Sequence, residues 1–262
     1  TRYAAMGPGI EASGGSVANS IAGLAGAGVR TAFIGRSKND PLGGIFAHDI
    51  GALGVAFDTP RAEDGPATAR CLVLVTPDAQ RTMNTFLGAS VDLGPDEVAE
   101  QVVRAARITY LEGYLWDQPP AKAAFRKAAQ VAHEAGREVA LSLSDPFCVE
   151  RHRDDFLRLI ENEVDILFAN EAEITSLFRT TDFDAAAAAV RGRCRIAALT
   201  PRVVDTTGAG DQYAGGFLYG LVRGRSLAEC GRLGSLSAAE VIGHFGARPE
   251  TPLSRLSGPQ AG

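Results

Sequence analysis

From residue 108 onward, short apolar runs alternate with longer amphipathic ones. Residues 108–115 are apolar and rich in β-branched and aromatic side chains, which predicts a strand. Pro119 and Pro120 then open a helix, where proline's fixed φ and missing N–H do no harm, and Gly136 ends it after residue 135. The alternation continues as a strand over 139–143, a helix over 151–161 and a strand over 164–169. Helices over 171–178 and 184–190 and a strand over 196–200 complete it. This order predicts an α/β fold, a doubly wound and mostly parallel sheet with helices on both faces. Ligands of such sheets bind beyond the carboxyl ends of the strands, which makes Tyr114, Asp145, Asn170 and Thr200 rim positions.

Residues 55–90 break the alternation. Residues 67–75 and 81–87 read as two strands joined by Thr76-Pro77-Asp78-Ala79-Gln80, with no helix between them, hence a hairpin. Projecting from a parallel sheet, it would serve as a small β lid or an oligomer edge; the alternative is an antiparallel edge of the main sheet. No repeat or linker divides the chain. Residues 1–262 therefore read as a single domain, with the lid contributed mainly by residues 55–90.

Composition removes several classes of function. Basic residues number 26 against 31 acidic ones, a formal net charge of −5, and no Lys/Arg block offers a footprint for nucleic acid or an anionic membrane. The 45% hydrophobic and 22% charged content excludes wholesale disorder. No apolar run approaches the ~20 residues that span a bilayer, and no signal-peptide pattern opens the chain, so a cytoplasmic location is expected. Cys71, Cys148, Cys194 and Cys230 lie far apart without a C-x-x-C pair, as do His48, His133, His152 and His244, which points to free buried thiols rather than disulfides or zinc. The 30 glycines are roughly 11% of the chain, above the usual ~7%, and imply tight turns or backbone that approaches something closely.

The strongest chemical signal is Asp205-Thr206-Thr207-Gly208-Ala209-Gly210-Asp211, leading straight into the apolar run Ala214-Gly215-Gly216-Phe217. A small-residue turn that opens a helix leaves unpaired N–H groups at the positive end of the helix dipole, and such a start attracts anions. Asp211 at that mouth makes sense if it takes a proton from a hydroxyl attacking a phosphoryl group, while the N–H groups hold the spreading charge. An aspartate N-cap on a glycine turn is the plainer alternative. A second constellation, Gly14-Gly15-Ser16-Val17-Ala18-Asn19, also enters a helix, and Asn19 offers a donor and an acceptor to a polyol. It nearly matches the G-x-S-x-G nucleophile elbow, but Ala18 replaces the last glycine and no apolar strand precedes it. Asn170-Glu171-Ala172-Glu173, at a strand end, either caps a helix or places Asn170 and Glu173 near a water-shelled Mg²⁺. The chain has no G-x-x-x-x-G-K-[ST] and no complete G-x-G-x-x-G, which excludes a Walker P-loop and argues against a dinucleotide oxidoreductase.

These strings together resemble the ribokinase-like (PfkB) family of carbohydrate and nucleoside kinases. Asp205 to Asp211 with Gly215-Gly216-Phe217 resembles its C-terminal signature, Gly14 to Asn19 its N-terminal one, and Asn170 to Glu173 its N-x-x-E. Phe33-Ile34-Gly35, Asp40 and Gly43 extend the likeness over most of the chain. The resemblance implies transfer of the ATP γ-phosphate to a substrate hydroxyl, with Asp211 as base and Gly208, Ala209 and Gly210 as anion hole. It further implies sugar contacts from Gly14, Gly15 and Asn19, and nucleotide contacts from Asn170, Glu173, Thr200 and Arg81. Mg²⁺ near Glu173 through water is implied too, often with a monovalent cation such as K⁺ beside positions like Asp205 or Thr207.

Gly14-Gly15-Ser16 with Asn19-Ser20-Ile21, Leu143-Ser144-Asp145-Pro146-Phe147 and Phe168-Ala169-Asn170-Glu171 are similar to motifs of the adenosine kinases within that family. The implied substrate is thus a ribose-containing nucleoside, adenosine first, with Tyr114, Trp116 or Phe147 available to stack on a purine or, as aromatics after a strand more often do, to fill the core. A kinase of a free sugar or sugar phosphate is the alternative, and a non-catalytic sensor a third reading. Family members also carry a first strand with a substrate-binding aspartate, expected ahead of residue 1, and a T-x-G-x-x-G stretch, expected between Thr200 and Pro201; neither is in the sequence. Lid hairpins of the family often pair between subunits, so the expected assembly is a monomer or a homodimer.

Overall fold

The computed structural model describes residues 8–76, 81–200 and 208–257. Four strands, β3 (Ile108–Glu112), β4 (Glu138–Ser142), β5 (Ile166–Asn170) and β6 (Ile196–Thr200), form a parallel sheet in the order β3-β4-β5-β6. Their register sets Glu112 beside Ser142 and Asn170 beside Thr200 at the carboxyl end. A second sheet, separate from the first, is the antiparallel hairpin of β1 (Arg70–Val75) and β2 (Arg81–Phe86). The hairpin is therefore not an edge of the main sheet.

Successive residues of the central strands face opposite ways, and both faces are buried. Val139, Leu141, Leu167 and Ala169 join one core with helices α4 (Pro119–Glu134), α5 (Pro146–Asn162), α6 (Glu171–Phe178) and α7 (Phe183–Val190). Ala140, Ile166 and Phe168 join another with α1 (Ser16–Gly26), α8 (Ala209–Val222), α9 (Leu227–Val241) and α10 (Leu253–Leu256). Burial on both faces explains why these strands read as unbroken apolar runs. A third cluster, under α2 (Pro41–Ala52), buries Ala18, Ile50 and Val55, and packed against it are Phe33, Phe46 and Phe57, whose ring centroids lie 5.5–5.6 Å apart. The short helix α3 (Glu100–Ala105) leads into β3.

Several expectations need correction. β3 stops at Glu112, where a 3-10 turn (Gly113–Leu115) takes over, because Gly113 packs so closely on Leu143 that a Cβ there would lie 2.8 Å from its carbonyl oxygen. Helix α5 begins at Pro146 rather than 151: Asp145 accepts a hydrogen bond from the Cys148 N–H at 2.8 Å, an N-cap followed by proline. Trp116 does not face a ligand; it is fully buried between Phe125 and Phe156, with Nε1 donating to Asp155 at 3.2 Å. All four cysteines are free, but only Cys148 and Cys230 are buried. Among the described residues, no helix is long and apolar enough to cross a membrane.

The hairpin is tied down at its base. Asp40 caps α2 through the Gly43 N–H at 2.8 Å, and the same carboxylate accepts from the Thr68 hydroxyl at 2.7 Å and the Thr68 N–H at 2.9 Å. Above that knot Leu72, Val73, Leu74, Met83 and Phe86 are exposed.

Candidate active site

Helix α8 opens at Gly208, whose φ of 86° places it in the left-handed region that favours glycine. A Cβ at Gly208 would also lie 2.8 Å from the Ala247 side chain, so the turn admits no larger residue. The first intrahelical bond runs from the Gln212 N–H to the Gly208 carbonyl at 2.9 Å, and among the described residues no side chain caps the helix. The N–H groups of Gly208, Ala209, Gly210 and Asp211, the first four of the helix, have no intrahelical acceptor. Gly210 is exposed, with open space where a Cβ would stand.

Asp211 lies in this first turn and is gripped by α1. Its Oδ1 accepts from the Ser16 hydroxyl at 2.6 Å and its Oδ2 from Asn19 Nδ2 at 3.0 Å. Its carbonyl accepts from the Ser20 hydroxyl at 2.9 Å, and Gln212 Nε2 donates to the Asn19 carbonyl at 2.8 Å. Ser16, Asn19 and Ser20 are spaced to share one face of α1, with Gly15 as its N-cap. Asn19 Oδ1 is buried and has no hydrogen-bond partner among the described residues, an acceptor left over at the site. Burial pushes the Asp211 carboxyl above its ordinary range, while the Ser16 and Asn19 donors pull it back.

The geometry adds a residue that sequence reasoning missed. Glu112, the last residue of β3, is buried, and its Oε1 lies 2.6 Å from the same Ser16 hydroxyl oxygen. Burial first, then the Asp211 charge, pushes its carboxyl well above its ordinary range. Ser16, which the sequence presents only within a near-match to a nucleophile elbow, is the link between the two acids. A single glutamate at the carboxyl end of an otherwise apolar strand was the available signal for Glu112.

Asn170 and Glu173 stand at the ends of β5 and α6 and form a reciprocal capping box. The Asn170 side chain accepts from the Glu173 N–H at 2.9 Å, and Glu173 accepts from the Asn170 N–H at 3.1 Å and its Nδ2 at 2.6 Å. Both carboxyl oxygens are thus occupied, and burial pushes the acid up to about 7. Among the described residues, no cluster of three or more His, Cys, Asp or Glu side chains could hold a metal ion. Thr200 is paired beside Asn170, which brings these two together as expected. Tyr114 and Phe147 are exposed at the same rim, and the Tyr114 hydroxyl donates to the Ser144 carbonyl at 3.1 Å. Ser144 has a φ of 74°, a strained backbone of the kind that gathers at functional sites. Arg81 opens β2 opposite Val75 at the hairpin tip, and among the described residues no hydrogen bond joins it to Asp211, Asn19 or Glu173. Gly14 lies exposed just before α1. Asp205 and Thr207, like the hairpin turn at 77–80, lie outside the described residues.

An anion-attracting helix start with a partly buried carboxylate at its mouth, set on a doubly wound sheet, has the groups that phosphoryl transfer requires. The pfkB family carbohydrate kinase pattern matches residues 11–198 and 192–253, and the chain belongs to that family. Among solved structures, adenosine kinase from Sinorhizobium meliloti is 48% identical with a TM-score of 0.92, covering 98% of this chain and 85% of that one. A probable sugar kinase from Rhizobium etli is 47% identical with a TM-score of 0.92, covering 98% of this chain and 84% of that one. Among curated proteins, an ATP-dependent ribose-1-phosphate kinase from Halopiger xanaduensis is 31% identical over 226 residues, 79% of this chain and 73% of that protein. The protein is a sugar or nucleoside kinase of the ribokinase-like fold.

Proposed function

We propose that the protein transfers the γ-phosphoryl group of ATP to the 5′-hydroxyl of a ribose-containing nucleoside, adenosine first. The observation that carries the reading is Asp211, held by Ser16 and Asn19 at the uncapped start of α8. Asp211 takes the proton of the acceptor hydroxyl as that oxygen bonds to the γ-phosphorus. The bond from phosphorus to the bridging oxygen breaks, and ADP leaves with that electron pair. The N–H groups of Gly208, Ala209 and Gly210 face the charge that spreads over the transferred group. Gly14, Gly15 and Asn19 hold the ribose, for which Asn19 Oδ1, unpaired among the described residues, is a suitable acceptor.

On the nucleotide side stand Thr200, Asn170 and Glu173, with Arg81 reaching in from the hairpin as a lid. Magnesium fits here only through its water shell, since both Glu173 oxygens already accept from Asn170. The ion supplies neutralisation of the phosphate charge. Asp205 and Thr207 are the proposed monovalent-cation positions. Tyr114 and Phe147 offer exposed rings to a purine, and the apolar hairpin residues Leu72, Leu74 and Met83 suit a cover for one.

A second reading keeps the mechanism and changes the acceptor to a free sugar or sugar phosphate. The names carried by the Rhizobium etli and Halopiger xanaduensis relatives favour it. ADP release with Mg·ATP separates the two when adenosine, inosine, ribose, fructose and ribose 1-phosphate are offered in turn, with and without K⁺. The expected result is a kcat/KM for adenosine at least about a hundredfold above that for any free sugar, because a built purine slot rejects an acceptor that leaves it empty. Turnover with ribose or ribose 1-phosphate alone would replace the nucleoside by the sugar.

A further inference from the structure

Ser16 Oγ lies 2.6 Å from Asp211 Oδ1 and 2.6 Å from Glu112 Oε1. A serine hydroxyl carries one hydrogen, so it can donate to one of these carboxyl oxygens and must accept from the other. If both acids were ionised, one short contact would set lone pair against lone pair. Three oxygens in this arrangement therefore need two protons, the one on Ser16 and one on a carboxyl group.

The surroundings decide which carboxyl group holds the second proton. From α1, Glu112 meets the Ser16 hydroxyl and the Val17 N–H; from α8 it meets the Asp211 carboxylate. On its own strand the Tyr110 hydroxyl stands 3.4 Å from Oε1, with Ser142 of β4 behind it, and Tyr114 is the titratable group of the turn beyond. None of these is a cation. Asp211 accepts from both Ser16 and Asn19, sits at the positive end of α8 and is only partly buried, whereas Glu112 is 6% exposed. The charge belongs on the more accessible acid, because ionising the more deeply buried one carries the larger desolvation cost.

We propose that Glu112 is a positioning residue kept as a neutral acid, donating through Ser16 so that Asp211 remains the single anion of the pair and is aimed at the acceptor hydroxyl. The proposal deepens the kinase reading and rests on Asp211 as the base. Burial and the neighbouring Asp211 charge raise the Glu112 carboxyl in agreement with it. When Glu112 ionises at alkaline pH, the Ser16 hydrogen is divided between two anions and a second negative charge stands beside the incoming phosphoryl group. Turnover then falls on the alkaline side through Glu112, and on the acid side through protonation of Asp211.

The test is the pH profile of kcat and KM between about pH 6 and pH 10 for the full chain, with Asp211→Asn measured alongside. Glu112→Ala is expected to lower kcat by about a hundredfold with little change in KM, the scale of a misplaced catalytic group. Glu112→Gln, whose amide donates to Ser16 as the acid does, recovers most of that loss and lacks the alkaline limb. An unchanged alkaline limb in Glu112→Gln, or a change confined to KM, overturns the proposal. Difference infrared spectroscopy of the unliganded protein at neutral pH supplies a readout independent of turnover. A protonated-carboxyl stretch present in the wild type and lost in Glu112→Gln supports the proposal; its absence from the wild type, its survival in Glu112→Gln, or its removal by Asp211→Asn instead, overturns it. Wild-type turnover in Asp211→Asn would overturn the kinase base while leaving the infrared result to stand on its own.

Discussion

Replacing Asp211 by asparagine is expected to lower kcat by about three decades or more while both substrates still bind, the size of loss seen when an essential catalytic group is removed. The substitution keeps shape and removes the proton acceptor. An asparagine oxygen still accepts from Ser16, and, with the Asn19 amide turned over, its nitrogen donates to Asn19 Oδ1, which has no partner among the described residues of the wild type. The fold therefore survives, and removal of a charge that burial disfavours should not lower the Tm. Single-turnover kinetics with calorimetric binding of adenosine checks the split. Turnover within a few-fold of wild type would take Asp211 out of the mechanism.

Gly216→Val is expected to show the largest loss of stability. A Cβ at Gly216 would lie 2.5 Å from the Leu233 carbonyl oxygen and 2.8 Å from Gly234 Cα, so α8 and α9 meet backbone to backbone there. Helix propensity alone would favour any substitution of a mid-helix glycine by a few tenths to ~1 kcal/mol. The contact is with backbone, which cannot swing away, and overpacking of about 3 kcal/mol outweighs that gain. On a chain of this size the Tm should drop by roughly 6–12 °C. Activity should fall with it, since α8 carries Asp211. Gly51→Ala in α2, where a Cβ meets nothing within 4 Å, is the control, expected to stabilise by about 0.5–1 kcal/mol. Thermal unfolding of the two variants decides the matter; equal stability in both would show that α8 and α9 can separate freely.

Periodicity read the layers of this fold well because β4 and β5 are buried on both faces. Val139 to Leu141 and Ile166 to Ala169 appear as unbroken apolar runs, and α6 and β6 fall on the predicted residues. The same continuity hid Glu112, since one polar residue at the end of an apolar run reads as the strand's edge. Element ends went wrong where a tertiary contact or a cap decides them. Gly113 against Leu143 ends β3 early, and Asp145 with Pro146 starts α5 before its amphipathic pattern begins. Trp116 followed a strand, as a ligand-facing aromatic would, but its ring fills the core between Phe125 and Phe156.

The site was legible as strings and illegible as geometry. Asp211 and Asn19 each stood out in a glycine-rich helix start, yet their hydrogen bond joins positions 192 residues apart. Nothing local in either string could announce that Ser16 would bridge two carboxyl groups. Glu173 shows the reverse case. Its spacing from Asn170 suits both a cap and a metal site, and the capping box engages both of its oxygens.

The central claim is that the acceptor is the 5′-hydroxyl of a nucleoside, activated by Asp211. Phosphorus NMR of the product formed from adenosine and Mg·ATP, with 5′-deoxyadenosine as the paired acceptor, tests it most directly. The account predicts a phosphomonoester coupled to the 5′ protons of adenosine and no product from the 5′-deoxy compound. A phosphate on another hydroxyl, or equal product from both acceptors, would contradict it.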